Sequence, residues 1–503
     1  MRILLVHFHL GAGGVGSVLR AQAELARKAG FAVGIAAGSF DGPVGDFERF
    51  EIPELAYEMP GGGPPDEKVL DARGRALGEK LVAAARSLGG RGRASDEGLL
   101  VHAHNLALRK TRVYPGALAF VARELPVLVH CHDFGEEWRP DSVHDSAGYP
   151  EGCAWAALNG RDRAALVAAG LPPESVALIP NAVRIPDHRE LPAGASARDR
   201  DLVLYPVRGI PRKNLGEALL ASLFLPAGVE LAVTLPPSNP LDLPDYEHWV
   251  AFSARLGLRA RFGAGLSAQL DELYARSRCA LSTSVKEGFG FSFLEPIARG
   301  LPVAGRRLES VIPDFEESGL RFPSLYTGIA TPEGLYDRAA FERRLEVLLD
   351  RVSAAYRDAL GSRGRPGLAA VDEAIERTRA MYGNSMIDFA ALDAEAQSEL
   401  IALAASDPGA RADVLEAAPF LSALADAIPP TEADRAALGA AYSPEKAGAV
   451  LLAAWRGAAA AAHAASGRSP DPVSLFRSLS RPDNFSPRGF RPFAGAGNAR
   501  SPA

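Results

Sequence analysis

Residues 2–37 read RILLVHFHLGAGGVGSVLRAQAELARKAGFAVGIAA, and this stretch decides the fold class. RILLV (2–6) is a short apolar run, and the glycine-rich segment 11–16 follows it. A helical pattern then extends to about Lys28, and FAVGIAA (31–37) is a second apolar run. A strand, a glycine loop, a helix and a strand in this order are typical of the βαβ unit. The sequence therefore predicts an α/β fold built on parallel strands.

Further short apolar runs continue this pattern, and the pattern restarts near residue 190. Continuous apolar runs are typical of strands that helices cover on both faces. The restart predicts a second doubly wound domain. The helix with the clearest apolar stripe is expected from about Asp66 to Leu88. The predicted strands are GLLVHAH (98–104), PVLVHCH (126–132), ALIPNAV (177–183, with a turn), DLVLYPV (201–207), VELAVTL (229–235), RCALSTSV (278–285) and LPVAG (301–305).

The chain of 503 residues is long enough for several domains. After about Thr331 the sequence becomes alanine-rich and helical, and its last twenty or so residues have no periodicity. We predict an N-terminal Rossmann-like domain (1–185), a second Rossmann-like domain (186–345), a helical extension (346–480) and a disordered tail (481–503).

Composition narrows the functional classes. A formal net charge of -6 gives no reason to expect binding to nucleic acid or to an anionic membrane. Three cysteines without a Cys-x-x-Cys spacing favour reduced thiols and a cytoplasmic location. The apolar segment 447–467 is mostly alanine and contains Arg456 and His463, which favours a soluble helix over a membrane span. Nothing in the sequence indicates the oligomeric state.

The stretch KEGFGFSFLEP (286–296) places Glu287 and Glu295 around a glycine-aromatic-glycine turn. We expect Ser292 to cap a helix that extends to about Arg299. The N-terminus of such a helix favours an anion such as a diphosphate, and the carboxyl edge of a parallel sheet is where ligands bind. The two acids would then bracket the anion and accept hydrogen bonds from sugar hydroxyls. The backbone N–H groups expected to face this anion belong to Gly288, Phe289, Gly290 and Phe291.

Several segments together resemble the retaining glycosyltransferases with the GT-B fold, in the family 4 clan. EGFGFSFLEPIARGLPV resembles the Glu-x7-Glu run of that family, and the likeness covers most of residues 1 to about 330. The resemblance implies two Rossmann-like domains facing a cleft. It also implies transfer of a hexose from a nucleotide diphosphate sugar to a hydroxyl acceptor, with retention of configuration and without a metal or another cofactor. The other similar segments are GVGSVLRAQAELARKAGFAV (14–33), VHCHDF (129–134), ALIPNAV and VRGIPRKNL (207–215).

The resemblance assigns roles on the donor side. It implies that Glu295 accepts hydrogen bonds from the ribose hydroxyls and that Glu287 contacts the transferred sugar near the reaction centre. Arg208 and Lys213 would neutralise the diphosphate and stabilise charge on the leaving group. The sequence departs from the family in the loop RRLES (306–310), which stands where paired glycines usually face the nucleotide.

The resemblance also assigns roles in the first domain. Gly13 and Gly14 would let the backbone of this domain close on the phosphate. His132 would lie near the anomeric centre and orient the donor or the acceptor. No metal ligand is assigned, and the sequence shows no convincing Asp-x-Asp motif at a strand end.

Histidine pairs support a rival from another enzyme class. Alternate residues of a strand share a face, so each pair could chelate a metal ion in a metal-dependent hydrolase. The alternative for each histidine is a hydrogen-bonded residue at a strand end, which we favour for His7 and His102. The pairs are His7-Phe-His9, His102-Ala-His104 and His130-Cys-His132.

Two other functions share parts of the pattern. A carbohydrate-binding protein that kept the fold without catalysis would show the same elements. A dehydrogenase is suggested by Gly11, Gly13 and Gly16, which satisfy Gly-x-Gly-x-x-Gly. The second strand of the unit, however, is followed by Gly-Ser-Phe before Asp41 rather than by an acid at its end. This arrangement disfavours the dehydrogenase.

Overall fold

The computed structural model describes most of the chain. Gly13 and residues 187–199 lie outside the described residues. The described residues are 1–11, 14–41, 45, 47–58, 66–89, 98–108, 110–142, 148–186, 200–384, 386–460 and 468–490.

The strands form two separate sheets. Their bounds are β1 (Arg2–His7), β2 (Ala32–Ala37), β3 (Glu48–Glu51), β4 (Leu99–His104), β5 (Val127–Cys131), β6 (Ala154–Ala157), β7 (Val176–Leu178), β8 (Leu202–Arg208), β9 (Glu230–Leu235), β10 (Ala260–Phe262), β11 (Ser277–Ser282), β12 (Val303–Arg306) and β13 (Leu325–Tyr326).

The helices alternate with the strands as far as β13 and then follow one another. Their bounds are α1 (Gly14–Lys28), α2 (Glu67–Ser87), α3 (Tyr114–Glu124), α4 (Gly160–Ala168), α5 (Leu215–Ser222), α6 (Leu243–Leu256), α7 (Ala264–Ser267), α8 (Leu270–Arg276), α9 (Phe291–Ala298), α10 (Ile312–Glu317), α11 (Arg338–Gly361), α12 (Arg365–Asn384), α13 (Ala394–Ser406), α14 (Pro408–Ala417), α15 (Glu432–Tyr442), α16 (Pro444–Ala460) and α17 (Pro472–Leu479).

The first compact unit contains Met1–Ala182, Arg351–Glu376 and Tyr442–Arg481. Its sheet has the strand order β3-β2-β1-β4-β5-β6-β7, and its strand pairs are parallel. The order reverses between β1 and β4. Such a reversal opens a crevice at the carboxyl ends of the two strands, where ligands bind in doubly wound folds.

Strand β1 shows why this sheet is buried on both faces. Leu4 and Val6 contribute to one apolar cluster, which also contains side chains of α2, α3 and α17. Ile3 and Leu5 point to the opposite face and join a cluster that contains side chains of α1 and α16. Because side chains alternate along a strand, an uninterrupted apolar run fits a sheet covered on both sides.

The second compact unit contains Val183–Asp350, Arg377–Ala441 and the residues from Pro482 onward. Its sheet has the order β10-β9-β8-β11-β12-β13, and these strand pairs are also parallel. Counted from β8, this is the same order as in the first unit, with the reversal between β8 and β11. The prediction of two doubly wound parallel-sheet domains is confirmed. The predicted boundary after residue 185 lies close to the observed division between Ala182 and Val183.

Four strands have no counterpart among the predicted ones. β3 is an edge strand with the sequence ERFE, so its charged residues hide it from a search for apolar runs. β6, β10 and β13 are two to four residues long. Runs this short do not stand out from loop sequence.

The helical extension predicted over 346–480 divides between the two units. Residues 351–376 and 442–481 belong to the first unit, and residues 377–441 belong to the second. Leu475 and Leu479 of α17, for example, lie in the core of the first unit. The alanine-rich helices therefore complete the two sheet-based units because their apolar faces need a surface to cover.

The prediction of a disordered tail over 481–503 is wrong for its first ten residues. Short 3-10 turns occupy Pro482–Asn484 and Pro487–Gly489. The Arg488 guanidinium is buried and binds both carboxylate oxygens of Asp245 at 3.0 Å. This pairing fixes residues 482–490 to α6 of the second unit. Residues 491–503 lie outside the described part of the chain.

Within the described ranges, none of the helices combines the length and the apolar character that crossing a lipid bilayer requires. Helix α16 occupies most of the described part of the apolar segment 447–467, and residues 461–467 are not described.

Candidate active site

The candidate site begins in the loop between β11 and α9. Gly290 caps α9 with a φ of +95°, and a Cβ there would lie 3.1 Å from the Phe293 ring. Only glycine adopts this conformation without strain. The prediction that Ser292 caps the helix is therefore wrong, because Ser292 lies inside the helix with its hydroxyl 3.4 Å from that of Ser282. The predicted end of the helix at about Arg299 lies one residue beyond Ala298.

Glu287 lies in this loop and is buried among cations. The ammonium group of Lys213 donates to Oε1, and Arg212 Nη1 lies 3.2 Å from Oε2. The Ser284 hydroxyl donates to Oε1 at 2.8 Å. Burial alone would raise the pKa of Glu287, but Lys213 and Arg212 lower it to about 2. The carboxylate is therefore charged at neutral pH. Stabilisation by these ion pairs is lost as the pH falls from about 4.5 through about 2.

Hydrogen bonds to the backbone of Lys213 fix its position, in addition to the ion pair of its side chain. It ends a 3-10 turn (Pro211–Lys213) that follows β8. The Lys213 carbonyl oxygen accepts hydrogen bonds from the Tyr205 hydroxyl and, at 3.1 Å, from the Thr283 hydroxyl. Val285 N donates to Arg212 O at 2.9 Å. These bonds join the loops that follow β8 and β11, the two strands at the reversal of strand order, so Lys213 and Glu287 meet at the ligand-binding edge of the sheet.

Arg208 ends β8 and lines a pocket of about 660 Å³ at the same edge. The ends of β8 and β9 and residues 265–270 form the walls of this pocket. Arg208 Nη1 donates to the carbonyl oxygen of Pro236 at 3.2 Å. The pocket volume lies within the range of about 300–1,000 Å³ that is usual for small-molecule sites. The predicted cation is thus placed on the wall of a pocket of ligand size.

Glu295 has different neighbours from Glu287. It is half-buried on α9, and burial raises its pKa, although Arg299 and Tyr274 oppose that change. Arg299 is fixed by Asp271 at 3.0 Å and lies 4.5 Å above the ring of Tyr274. The two glutamates therefore differ in electrostatic state, with the pKa of Glu287 lowered and that of Glu295 raised.

A second network of buried charged residues is hydrogen-bonded to Asn214, the residue that follows Lys213. Asn214 has a φ of +56° and donates to Glu217 at 2.8 Å. Arg306 binds Glu217 at 2.6 Å and Asp388 at 2.5 Å, and the Tyr326 hydroxyl donates to Glu217 at 2.6 Å. Arg306, the first residue of the RRLES segment that departs from the family pattern, is buried and paired with these acids. Arg306 thereby connects the residue that follows Lys213 to the segment before α13.

Replacing Arg306 with methionine should therefore destabilise the protein strongly. The change leaves Glu217 buried without its main counter-charge, and breaking a buried ion pair by removing one partner costs about 3–5 kcal/mol. Equilibrium urea unfolding followed by circular dichroism measures the loss. The matched control is Arg307→Met, because Arg307 pairs with the more exposed Glu309 and Glu316 and such pairs contribute about 0–1 kcal/mol. Equal losses in the two variants would contradict the importance of the buried network.

In the first unit, Gly14 begins α1, and a Cβ placed there would contact nothing within 4 Å. Gly16 differs, because a Cβ there would lie 2.3 Å from the carbonyl oxygen of Gly11. Gly16 is therefore needed to pack the loop against the helix, whereas the space beside Gly14 is open. The roles assigned to Gly13 and Gly14 stay predictions, and Gly13 lies outside the described residues.

His132 is buried and belongs to a group of four imidazoles at the ends of β4 and β5. His132 Nε2 lies 2.8 Å from His104 Nδ1, and burial lowers the pKa of His132 well below its usual value. His104 pairs with His130 in register, and alternate residues of each strand share this face. The group consists of His102, His104, His130 and His132. The catalytic role of His132 stays a prediction.

The expectation that His7 and His102 are hydrogen-bonded is confirmed. His7 Nδ1 lies 2.8 Å from the carbonyl oxygen of His9, and its Nε2 lies 3.2 Å from the amide nitrogen of Asn105. Both ring nitrogens of His7 are thus engaged. His102 Nδ1 accepts a hydrogen bond from the Trp455 indole at 3.1 Å.

Residues that complete the site were missed by sequence reasoning. Arg212 stands next to a residue that was identified, and its adjacency to Lys213 was the only available signal. Ser284, Tyr205 and Thr283 carry no motif. Thr283 contacts Tyr205 and Lys213, which lie about seventy residues away along the chain, and such contacts cannot be read from local spacing. Ser284 lies three residues from Glu287, but a serine at this position gives no distinctive signal.

Comparison with known proteins gives one curated relative and a group of structures. Mannosylglucosyl-3-phosphoglycerate synthase from Petrotoga mobilis is 28% identical over 253 residues, which is 44% of this chain and 49% of the relative. The chain thus matches about half the length of that protein. No protein-family model matches the chain.

Among solved structures, HepE from Anabaena in complex with UDP and glucose has 17% identity and a TM-score of 0.45, covering 84% of this chain and all of that one. A glycosyltransferase from Rickettsia africae has 12% identity and a TM-score of 0.45, covering 91% and 98%. Sucrose-phosphate synthase from Thermosynechococcus elongatus has 17% identity and a TM-score of 0.43, covering 76% and 100%. Similarity at this level does not establish a function.

Proposed function

We propose that this protein is a retaining glycosyltransferase that moves a hexose from a nucleotide diphosphate sugar to a hydroxyl acceptor without a metal ion. The observation that carries the proposal is the meeting of Lys213, Arg212 and Glu287 at the strand-order reversal of the second sheet. The name of the Petrotoga mobilis relative, a synthase of a glycoside, supports sugar transfer as the reaction class.

The charges of the site suit a diphosphate. Lys213 and Arg212 carry two positive charges, and Glu287 neutralises one of them, so one positive charge remains. Arg208 adds another at the wall of the pocket. Cations held by the fold before the reaction stabilise the charge that develops on a leaving diphosphate. These side chains therefore do the work that a divalent cation does in metal-dependent transferases.

The two glutamates suit the two sugars of the donor. Glu287 is ionised and accepts hydrogen bonds, so it would receive hexose hydroxyl groups close to the cations. Glu295, in the middle of α9, would receive the ribose hydroxyls. The pocket beside Arg208 would hold the rest of the nucleotide, because its size suits a ligand of that class.

The basicity of Glu287 supports retention through front-face attack. A carboxylate with a pKa of about 2 is too weak a base to take the proton of an acceptor hydroxyl at neutral pH. Its two cationic partners also make it a poor nucleophile. The leaving phosphate would therefore accept the proton while the acceptor attacks the same face of the sugar. Excluding water from this step would suppress donor hydrolysis.

Calorimetric titration with UDP-, GDP- and ADP-hexoses in the presence of EDTA tests the proposal. One donor is expected to bind, and adding an acceptor should release the nucleoside diphosphate and form a product with the donor's anomeric configuration. Turnover should be unchanged by added Mg²⁺, since protein cations neutralise the diphosphate. Inverted product, or transfer that depends on Mg²⁺, would contradict the mechanism. Binding without any release of nucleoside diphosphate would favour a non-catalytic carbohydrate-binding protein.

The rival metal-dependent hydrolase has weaker support. A hydrolytic metal must contact both water and substrate. His102, His104 and His130 are fully buried, so a metal at these residues has no exposed side on which to meet a substrate.

A further inference from the structure

The four-histidine group of the first unit has contacts that the proposed reaction does not explain. The rings of His102 and His104 are 4.2 Å apart between centroids, and those of His102 and His130 are stacked at 5.4 Å. All three residues have no exposed surface. An apolar core would normally receive apolar side chains at these positions, so three imidazoles side by side require a reason.

Their ring nitrogens are incompletely paired. His102 Nε2 and His104 Nε2 are buried and lack a hydrogen-bond partner among the described residues. His130 has a backbone hydrogen bond with Ile179, which leaves its other ring nitrogen available. Buried polar atoms of this kind are uncommon in folded proteins, because each loses its interaction with water and gains nothing in return. One nitrogen from each of the three rings lies within 4.8 Å of the other two. The three rings therefore place potential ligand atoms close enough together to surround one small ion.

We propose that His102, His104 and His130 bind one divalent metal ion of the zinc class, as a structural centre in the first unit. Imidazole nitrogen is a preferred ligand of Zn²⁺, with a bond length of about 2.0–2.1 Å. An ion equidistant from three atoms 4.8 Å apart would lie about 2.8 Å from each. An inward movement of each ring by about 0.7 Å reaches the bonding distance.

His132 supports the assignment of His104 as a ligand. His104 Nδ1 lies 2.8 Å from His132 Nε2. When this nitrogen of His104 donates the proton, the lone pair remains on His104 Nε2, which is the unpaired atom. Metal-binding histidines are typically oriented by such a hydrogen bond from their other nitrogen. His132 would therefore be a positioning residue for the metal centre.

Trp455 makes a competing demand on His102. The indole N–H is only a donor, so its bond at 3.1 Å requires a lone pair on His102 Nδ1 and places the proton on Nε2. A metal ion on Nε2 moves that proton to Nδ1 and breaks the bond from Trp455. Metal binding and this hydrogen bond therefore exclude each other, which gives the proposal a specific test.

The centre is structural rather than catalytic because no solvent reaches it. An ion enters while the first unit folds or during local opening, and it leaves slowly. A chelator added to the folded protein is therefore a poor probe. The protein has to be unfolded in urea with EDTA, freed of both, and refolded with Zn²⁺ or Co²⁺.

The decisive measurement is the metal content of the refolded full-length protein. We expect about one equivalent of Zn²⁺ after desalting and, with Co²⁺, visible absorption bands of a nitrogen-coordinated ion. His130→Ala and His102→Ala should each reduce the bound metal at least tenfold, whereas His248→Ala in the second unit should bind like the unchanged protein. Refolded wild-type protein without bound metal would overturn the proposal, as would full retention in both His102→Ala and His130→Ala. The first outcome does not depend on whether the variants fold.

Trp455→Phe separates this centre from adventitious binding. Removing the competing donor should tighten the Kd for Co²⁺ roughly three- to tenfold, the worth of one hydrogen bond. Trp249→Phe is the matched control. Trp249 belongs to the second unit, and its indole nitrogen is buried and has no hydrogen-bond partner among the described residues. An unchanged Kd in Trp455→Phe would refute the placement of the ion on His102 Nε2.

Discussion

Replacing Glu287 with glutamine is expected to lower the rate of sugar transfer by at least about a hundredfold, the usual effect of removing a preorganised electrostatic group. Glutamine keeps the size of the side chain but removes the charge that Lys213 and Arg212 surround. It also weakens the acceptor for the hexose hydroxyls. The measurement is kcat with the donor identified by calorimetry, together with the Kd of the corresponding nucleoside diphosphate.

The rate should fall, whereas the affinity for the nucleoside diphosphate should not. Without the carboxylate, the two cations are no longer partly neutralised, so the free nucleoside diphosphate should bind at least as tightly as before. A merely misfolded variant would lose both properties. Glu309→Gln is the control, because Glu309 is a mostly exposed acid of the same unit. Turnover of Glu287→Gln close to that of the control would remove Glu287 from the reaction.

Lys213→Ala is expected to have a loss of similar size, with a different signature. The variant loses a cation for the diphosphate and leaves the buried Glu287 with Arg212 as its remaining charged partner. Both the affinity for the nucleoside diphosphate and kcat should therefore fall, with kcat reduced by about a hundredfold or more. Steady-state kinetics and calorimetry measure the two effects separately.

The control for this change is Lys68→Ala, which removes an exposed lysine from α2. Thermal unfolding of both variants shows how much of the loss comes from stability. Normal turnover of folded Lys213→Ala would exclude the lysine from charge stabilisation. Lost turnover with unchanged affinity for the nucleoside diphosphate would place the lysine away from the phosphates.

The central strands could be predicted because their physics is local. β1, β4, β5, β8, β9 and β11 are buried on both faces, which requires uninterrupted apolar runs. The edge strand β3 needs no such run, and its charged sequence gave no signal. The start of α9 was misplaced because Ser292 satisfies the capping preference, whereas the chain enters the helix through the positive φ of Gly290.

The site was predictable to the extent that it follows a motif. Glu287 and Lys213 were found through a family pattern, and the structure joins them directly. The sequence identified RRLES only as a departure from the family pattern, whereas Arg306 of this segment pairs with Glu217 and Asp388, which lie in distant segments. A sequence shows which residues carry charge, but the pairing of buried charges depends on tertiary structure.

The pairing of Arg306 with Asp388 determines which residues must be kept when the second unit is produced alone. A shortened chain that stops near residue 345, the predicted end of the second domain, would keep both arginines of RRLES but discard Asp388 and Gln397. Gln397 donates a hydrogen bond to Asn214, so the loop that carries Lys213 would lose this bond as well. Any attempt to produce the second unit alone must therefore include residues 377–441, because a shorter piece that fails to bind nucleotide would not test the proposed function.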